Sequence, residues 1–183
     1  MARARLDELY KKEIRPQLKK DLGYGNIMEV PKLSKIVVNI GVKEAVSDSR
    51  ILTKVADVLA KITGQVPVRT LAKKSIAGFK IREDMPIGLK VTLRKDSMYE
   101  FLDRLVNLAL PKVKDFQGLK TKLDTCGNYN LGLKEWSIFP EAEKASEELA
   151  SGMNITFHIV NKKNEDALAL LKKFGMPFKK AAR

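Results

Sequence analysis

Apolar residues recur at three- and four-residue steps at Leu6, Leu9, Tyr10, Ile14 and Leu18, which predicts an amphipathic N-terminal helix kinked at Pro16. The run Lys35 to Ile40, entered after Pro31 and closed by Gly41, is β-branched and reads as a strand. Ile51, Leu52, Val55, Leu59 and Ile62 then fall on one helical stripe, with Asp48 placed to cap it and Gly64 to end it. A short strand is expected over Val66 to Thr70 and a clear one over Leu89 to Arg94. Ser97 and Glu100 form a capping-box pattern before a helix bearing Phe101, Leu102, Leu105, Val106 and Ala109, which should stop before Pro111. Pro111 to Thr125 reads as a basic loop and Asn128 to Leu133 as a weaker strand. Met153, Ile155, Phe157 and Ile159 alternate along a strong strand, and Asn164 is placed to cap a last helix closed by Gly175 and Pro177.

Helices interspersed with short alternating strands predict an α+β fold, a mostly antiparallel β-sheet with helices packed on one face. The other face would then be open for RNA, an arrangement several RNA-binding folds use. No repeat or linker divides the 183 residues, so one RNA-binding domain over 1–183 is expected. Leu71 to Ile87 is the exception to the alternation: 17 residues without a clear period, a length that in a compact domain marks a functional loop.

Strand alternation also sorts polar side chains. Ile36, Val38 and Ile40 are expected in the core with Asn39 opposite them, and Leu89, Val91 and Leu93 in the core with Lys90, Thr92 and Arg94 opposite. Setting Val66, Val68 and Thr70 inward turns Gln65 and Arg69 outward. The predicted outer face thus gathers Asn39, Gln65, Arg69, Lys90, Thr92 and Arg94, a set of amides, a hydroxyl and cations able to meet phosphates, 2′-hydroxyls and base edges.

Charge changes the picture from generic to directional. With 35 Lys+Arg against 22 Asp+Glu the net charge is +13, and it is uneven. Gly64 to Lys95 holds eight basic and two acidic residues and Lys162 to Arg183 seven and two, whereas Glu135 to Ala150 holds five acids and one Lys. Such asymmetry points to a polyanion partner, with the acidic stretch suited to a basic protein. Within the long loop, Phe79 stands between Lys74, Lys80 and Arg82, beside Gly78, where an aromatic ring can pack on a nucleotide while cations meet phosphates.

Other chemistry finds little support. A single Cys, Cys126, and a single His, His158, exclude an internal disulfide and a Cys/His zinc site, so no metal or cofactor is expected. His158 falls in the last alternating strand, where a structural or surface role outweighs a catalytic one. Lys74-Ser75 lacks the Gly-rich frame of a phosphate-binding P-loop. The longest stretch without charge, Leu149 to Asn161, is too short to span a bilayer, and the N-terminus lacks an apolar signal region, so a cytoplasmic protein without a membrane partner is expected. What this leaves is RNA binding, with a general RNA-binding protein and an RNA-processing protein both open.

Longer blocks narrow this. Lys35-Ile-Val-Val-Asn-Ile-Gly-Val, Ile62-Thr-Gly-Gln, Ala72-Lys-Lys-Ser-Ile-Ala-Gly-Phe-Lys-Ile-Arg, Met85-Pro-Ile-Gly-Leu-Lys-Val-Thr-Leu-Arg, Pro111-Lys-Val-Lys-Asp-Phe-Gln-Gly, Gly127-Asn-Tyr-Asn-Leu-Gly and Ile138-Phe-Pro-Glu closely resemble the bacterial large-subunit ribosomal protein five family. The resemblance runs in order from about Tyr10 to Lys179 and departs at Thr125, Cys126, Trp136 and Ser151. It implies a non-enzymatic protein of the central protuberance that binds 5S rRNA alongside other 5S-associated large-subunit proteins, with Asn39, Gln65 and Thr92 matching the family's RNA contacts. It further implies that the loop Lys74, Ser75, Ile76, Ala77, Gly78, Phe79, Lys80, Ile81, Arg82 approaches P-site tRNA. A small-subunit head protein is the remaining partner it implies, through an intersubunit bridge.

Overall fold

The computed structural model describes residues 4–46, 48–142, 151–160 and 163–179. It has an α+β fold whose five strands form one antiparallel sheet in the order β2-β3-β1-β5-β4. The strands are β1 (Lys32–Gly41), β2 (Val68–Leu71), β3 (Pro86–Leu93), β4 (Tyr129–Leu133) and β5 (Met153–Val160). Among the described residues the α-helices are α1 (Arg5–Leu9), α2 (Arg15–Asp21), α3 (Ser49–Thr63), α4 (Lys95–Arg104) and α5 (Asn164–Lys173). Two compact units are distinguished, one of residues 1–36, 93–130 and 156–183 and one of residues 37–92 and 131–155.

In the first unit, Leu6, Tyr10, Ile14 and Leu18 are buried as the helical spacing requires. The helical run around Pro16 is not one continuous α-helix. A π-helical turn over Tyr10–Ile14 joins α1 to α2, and the Arg15 N–H reaches the Tyr10 carbonyl five residues back. The wide turn lets Pro16, which has no N–H to give, sit at the start of α2. α1 packs against α4, and Arg5 donates twice to Asp103, at 3.0 and 2.6 Å. Tyr10, Tyr99 and Phe174 meet ring to ring with centroids 5.9–6.4 Å apart, and the Tyr10 hydroxyl donates to the Pro31 carbonyl. α4 begins two residues before Ser97, with Arg94 as its N-cap and no side-chain cap, and its first residue, Lys95, has a left-handed φ of 51°. Asn164 is likewise the first residue of α5 rather than its cap, its amide donating to the Asp124 carbonyl at 3.4 Å. The segment read as a basic loop after Pro111 is tied down: Leu119 is buried, its N–H donates to the Pro177 carbonyl, and its own carbonyl accepts from the Lys179 N–H.

In the second unit, Asp48 caps α3 as expected, accepting from the Arg50 N–H at 2.8 Å, and Gly64 closes it at φ 69°. Leu52, Val55, Val58, Leu59 and Ile62 fill the buried stripe, and α3 packs on short 3₁₀ turns at Lys43–Val46 and Pro140–Ala142. Trp136 is fully buried here, and among the described residues its indole N–H has no hydrogen-bond partner. Of the acidic stretch Glu135 to Ala150, residues 143–150 lie outside the described residues, as does part of the basic C-terminal run.

Candidate nucleic-acid interface

β1 and β3 set the frame. The Val42 N–H donates to the Ile87 carbonyl at 3.0 Å, and a Cβ added at Gly88 would stand 2.7 Å from the Ile40 carbonyl oxygen and 3.7 Å from the Gly41 Cα. The register these contacts set, continued along both strands, pairs buried Ile40 with Leu89, Val38 with Val91 and Ile36 with Leu93. It sets Asn39 beside Lys90 and Val37 beside Thr92 on the opposite face, because residues directly across an antiparallel pair share a face. Asn39 and Thr92 are half-buried and Lys90 is exposed. The alternation therefore placed these three correctly.

Arg69 and Gln65 stand differently from the expectation. β2 pairs with β3 so that Val68 opposes Lys90, Arg69 opposes Leu89 and Thr70 opposes Gly88. Arg69 thus shares the phase of Leu89, not of Lys90, and is exposed because β2 is a four-residue edge strand. The valines take the other phase: Val66 is 88% exposed and Val68 64%, while Pro67 is buried. The cause is Thr70, whose Oγ1 would lie 2.8 Å from a Cβ at Gly88, so it fits only over a glycine and fixes the register against the apolar preference of the valines. Gln65 precedes the strand and lies in the α3–β2 connection. Its N–H donates to Thr63 Oγ1 at 3.4 Å, and that hydroxyl also meets the Gln65 and Leu59 carbonyls at 3.1 and 2.7 Å, so the helix end holds the Gln65 backbone and leaves its side chain exposed.

The segment without hydrophobic period is ordered. Ala72 and Met85 are joined by an N–H to carbonyl bond of 2.9 Å, Asp84 returns one to Ala72, and Ile76 and Ile81 bond reciprocally at 2.9 and 3.2 Å. Ser75 Oγ accepts from the Glu83 N–H at 2.9 Å, and the tip is a 3₁₀ turn over Ala77–Phe79 closed by Lys80 at φ 55°. These bonds are made by the main chain, which is why no side-chain period announces them. Lys74, Ser75, Gly78, Phe79, Lys80 and Arg82 are all exposed on this hairpin, Phe79 to 70%.

Electrostatics separates site from scaffold. Part of the N-terminal helical run is matched by acids, Arg5 of α1 with Asp103 and, in the π turn, Lys11 with Asp7 and Lys12 with Glu8. By contrast Arg69, Lys73, Lys74, Lys80, Arg82, Lys90, Arg94 and Lys95 are exposed, and among the described residues none makes an ion pair. Arg94 belongs to the first unit, where it and Lys35 act on half-buried His158; burial first, then these two charges, hold the His158 imidazole below its ordinary pKa. Sequence reading set Val66 and Val68 inward, where they are exposed, gave His158 a structural or surface role and did not count Lys35 among the contacts. For Lys35 and His158 the signal was available, since both fall on the outward phase of their strands. Among the described residues no cluster of His, Cys, Asp and Glu could hold a metal ion, and no helix is long and apolar enough to cross a membrane.

Residues 26–82 match the family Ribosomal protein L5, and residues 86–178 match the model of the same ribosomal family's C-terminus. The chain belongs to the ribosomal protein L5 family. Curated relatives called large ribosomal subunit protein uL5 include those of Geotalea uraniireducens, Geobacter sulfurreducens and Chromobacterium violaceum, 58%, 55% and 54% identical over 177 residues. In each case 96% of this chain and 99% of the relative are covered. Membership in this family makes the chain an rRNA-binding ribosomal protein and not an enzyme. The two family matches meet at the loop between β2 and β3, so the strand face and the hairpin both lie within matched sequence.

Proposed function

We propose that this protein is a structural constituent of the large ribosomal subunit that binds 5S rRNA and helps attach it in the central protuberance. The observation carrying the proposal is the outward face of β1 and β3, where Asn39, Lys90 and Thr92 stand together amid cations that, among the described residues, no acid pairs. Gln65, Arg69 and Arg94 extend the set as separate contacts: an amide at the α3 end, an edge-strand guanidinium and a guanidinium at the head of α4. The cations supply attraction to phosphate, and the amides and hydroxyl supply directional hydrogen bonds to 2′-hydroxyls and base edges. The names of the relatives support placement on the large subunit; this reading sets the protein there in the cytoplasm, among other 5S-associated large-subunit proteins. The preformed basic hairpin Lys74 to Arg82 is the element suited to P-site tRNA. The acidic stretch from Glu135 suits a basic small-subunit head protein across an intersubunit bridge.

The test is direct binding of the purified protein to 5S rRNA and to an unrelated RNA of equal length at the same salt. The expected result is preference for 5S rRNA by at least about tenfold, a difference of about 1.4 kcal/mol. Equal affinity for the two RNAs would overturn the 5S assignment.

A further inference from the structure

The first unit carries three nitrogen-bearing side chains that the 5S reading leaves mostly unused. On β5, Met153, Ile155, Phe157 and Ile159 are buried, so Thr156 and His158 take the opposite phase, both half-buried. Thr156 Oγ1 donates to Asn130 Oδ1 at 2.7 Å on that side. On β1, which lies between β3 and β5 in the sheet, Lys35 precedes buried Ile36 and takes the outward phase. The β1–β3 register continued by one pair sets Lys35 beside Arg94, and both charges act on the His158 ring. Among the described residues none of the three side chains has a hydrogen-bond or ion-pair partner.

Two fixed cations beside a half-buried imidazole repel any third positive charge unless an anion lies among them. We propose that Lys35, His158 and Arg94 together form a subsite for an RNA backbone phosphate. This rests on the RNA-binding reading and adds to it a contact, His158, whose charge depends on pH. The ligand chemistry is a phosphate oxygen anion: a guanidinium fork, an ammonium and a ring N–H can each donate to it. Lys35 and Arg94 are the charged groups acting on His158 from β1 and from the end of β3; Thr156, on the same face of β5, and Asn130, the β4 residue that Thr156 bonds, are uncharged.

The consequence is a proton linkage. With the subsite empty, burial and the two cations favour the neutral ring. A phosphate reverses the balance of charge around it and favours the imidazolium. The midpoint of His158 is then higher in the complex than in the free protein, so binding takes up a proton between the two midpoints. Affinity rises as pH falls through that window and levels off below the free midpoint. One proton limits the gain to tenfold per pH unit.

His158 is the chain's only histidine, so its ring resonances report on the site without ambiguity. The experiment follows the His158 midpoint by NMR in the full-length protein alone, with 5S rRNA and with millimolar inorganic phosphate, and measures RNA affinity at pH 8 and pH 6 for the wild type and for His158→Gln. The expected result is an upward midpoint shift with RNA, an about three- to tenfold gain in wild-type affinity at pH 6 beyond that of His158→Gln, and a much smaller shift with inorganic phosphate. RNA that binds while the His158 midpoint stays at its free value overturns the subsite and leaves the RNA-binding reading standing. An equal shift with inorganic phosphate overturns the assignment to RNA. No RNA binding at either pH overturns the underlying reading as well. The midpoint is read on the wild type, so the outcome does not depend on how the variant folds.

Discussion

Gly88 shows how one residue position organises the interface. Its backbone φ is ordinary, so conformational freedom is not the reason for glycine there; space is, since a Cβ would lie 2.7 Å from the Ile40 carbonyl oxygen and 2.8 Å from Thr70 Oγ1. Gly88→Ala must push the β1 backbone away from β3 as well as turn Thr70 aside, and the first move disturbs the pairing that sets Asn39 beside Lys90. Overpacking of this kind costs roughly 1–3 kcal/mol. Gly41→Ala is the matched control, because an added Cβ there meets nothing within 4 Å. Urea unfolding should give a lower midpoint for Gly88→Ala and little change for Gly41→Ala; equal midpoints would mean that contact at Gly88 does not set the register. None of this was legible in the sequence, where a glycine opening a strand reads as a turn. Asn39, Lys90 and Thr92 were legible because strong alternation on both flanking strands left a single phase open to them.

At the scale of elements, what could be read depended on how the hydrogen bonds are made. β1, β3 and β5 bury one face, so their period of two is written in side chains and the sequence located each to within a few residues. β2 is a short edge strand with one buried residue at its entry, so its valines suggested a phase that pairing with β3 denies. The π turn before Pro16 and the hairpin from Ala72 to Met85 are main-chain devices with no hydrophobic signature. The hairpin supports a prediction of its own. The Ile76 and Ile81 N–H groups are locked in a reciprocal pair, whereas those of Lys73 and Gly78 appear in none of the bonds that close the hairpin. In hydrogen exchange on the free protein, Ile76 and Ile81 should be slowed at least about tenfold relative to Lys73 and Gly78. Uniformly fast exchange from 73 to 83 would show that the hairpin forms only on its ligand, and would move the cost of ordering it into binding.

Across the whole molecule the net charge of +13 divides into matched and unmatched parts. Acids hold Arg5 of α1 and Lys11 and Lys12 of the π turn, so these three contribute to the scaffold and weakly to the surrounding field. The eight exposed cations between Arg69 and Lys95 keep their counterions in the free protein and release those of RNA on binding. This separates two roles that a single affinity would merge. Replacing Lys80 and Lys90 with Gln removes up to two phosphate contacts, so the slope of log affinity against log salt should become shallower by about 1.4–1.8. Replacing Asn39, Gln65 and Thr92 with Ala removes hydrogen bonds to bases and sugars, so the slope should stay constant while the preference for 5S over unrelated RNA falls by about tenfold or more. Salt titrations of the two variants against both RNAs check this. A triple variant that changes the slope but keeps the preference would put discrimination in the cations instead, and the uncharged strand-face residues would then be spacers between phosphate contacts.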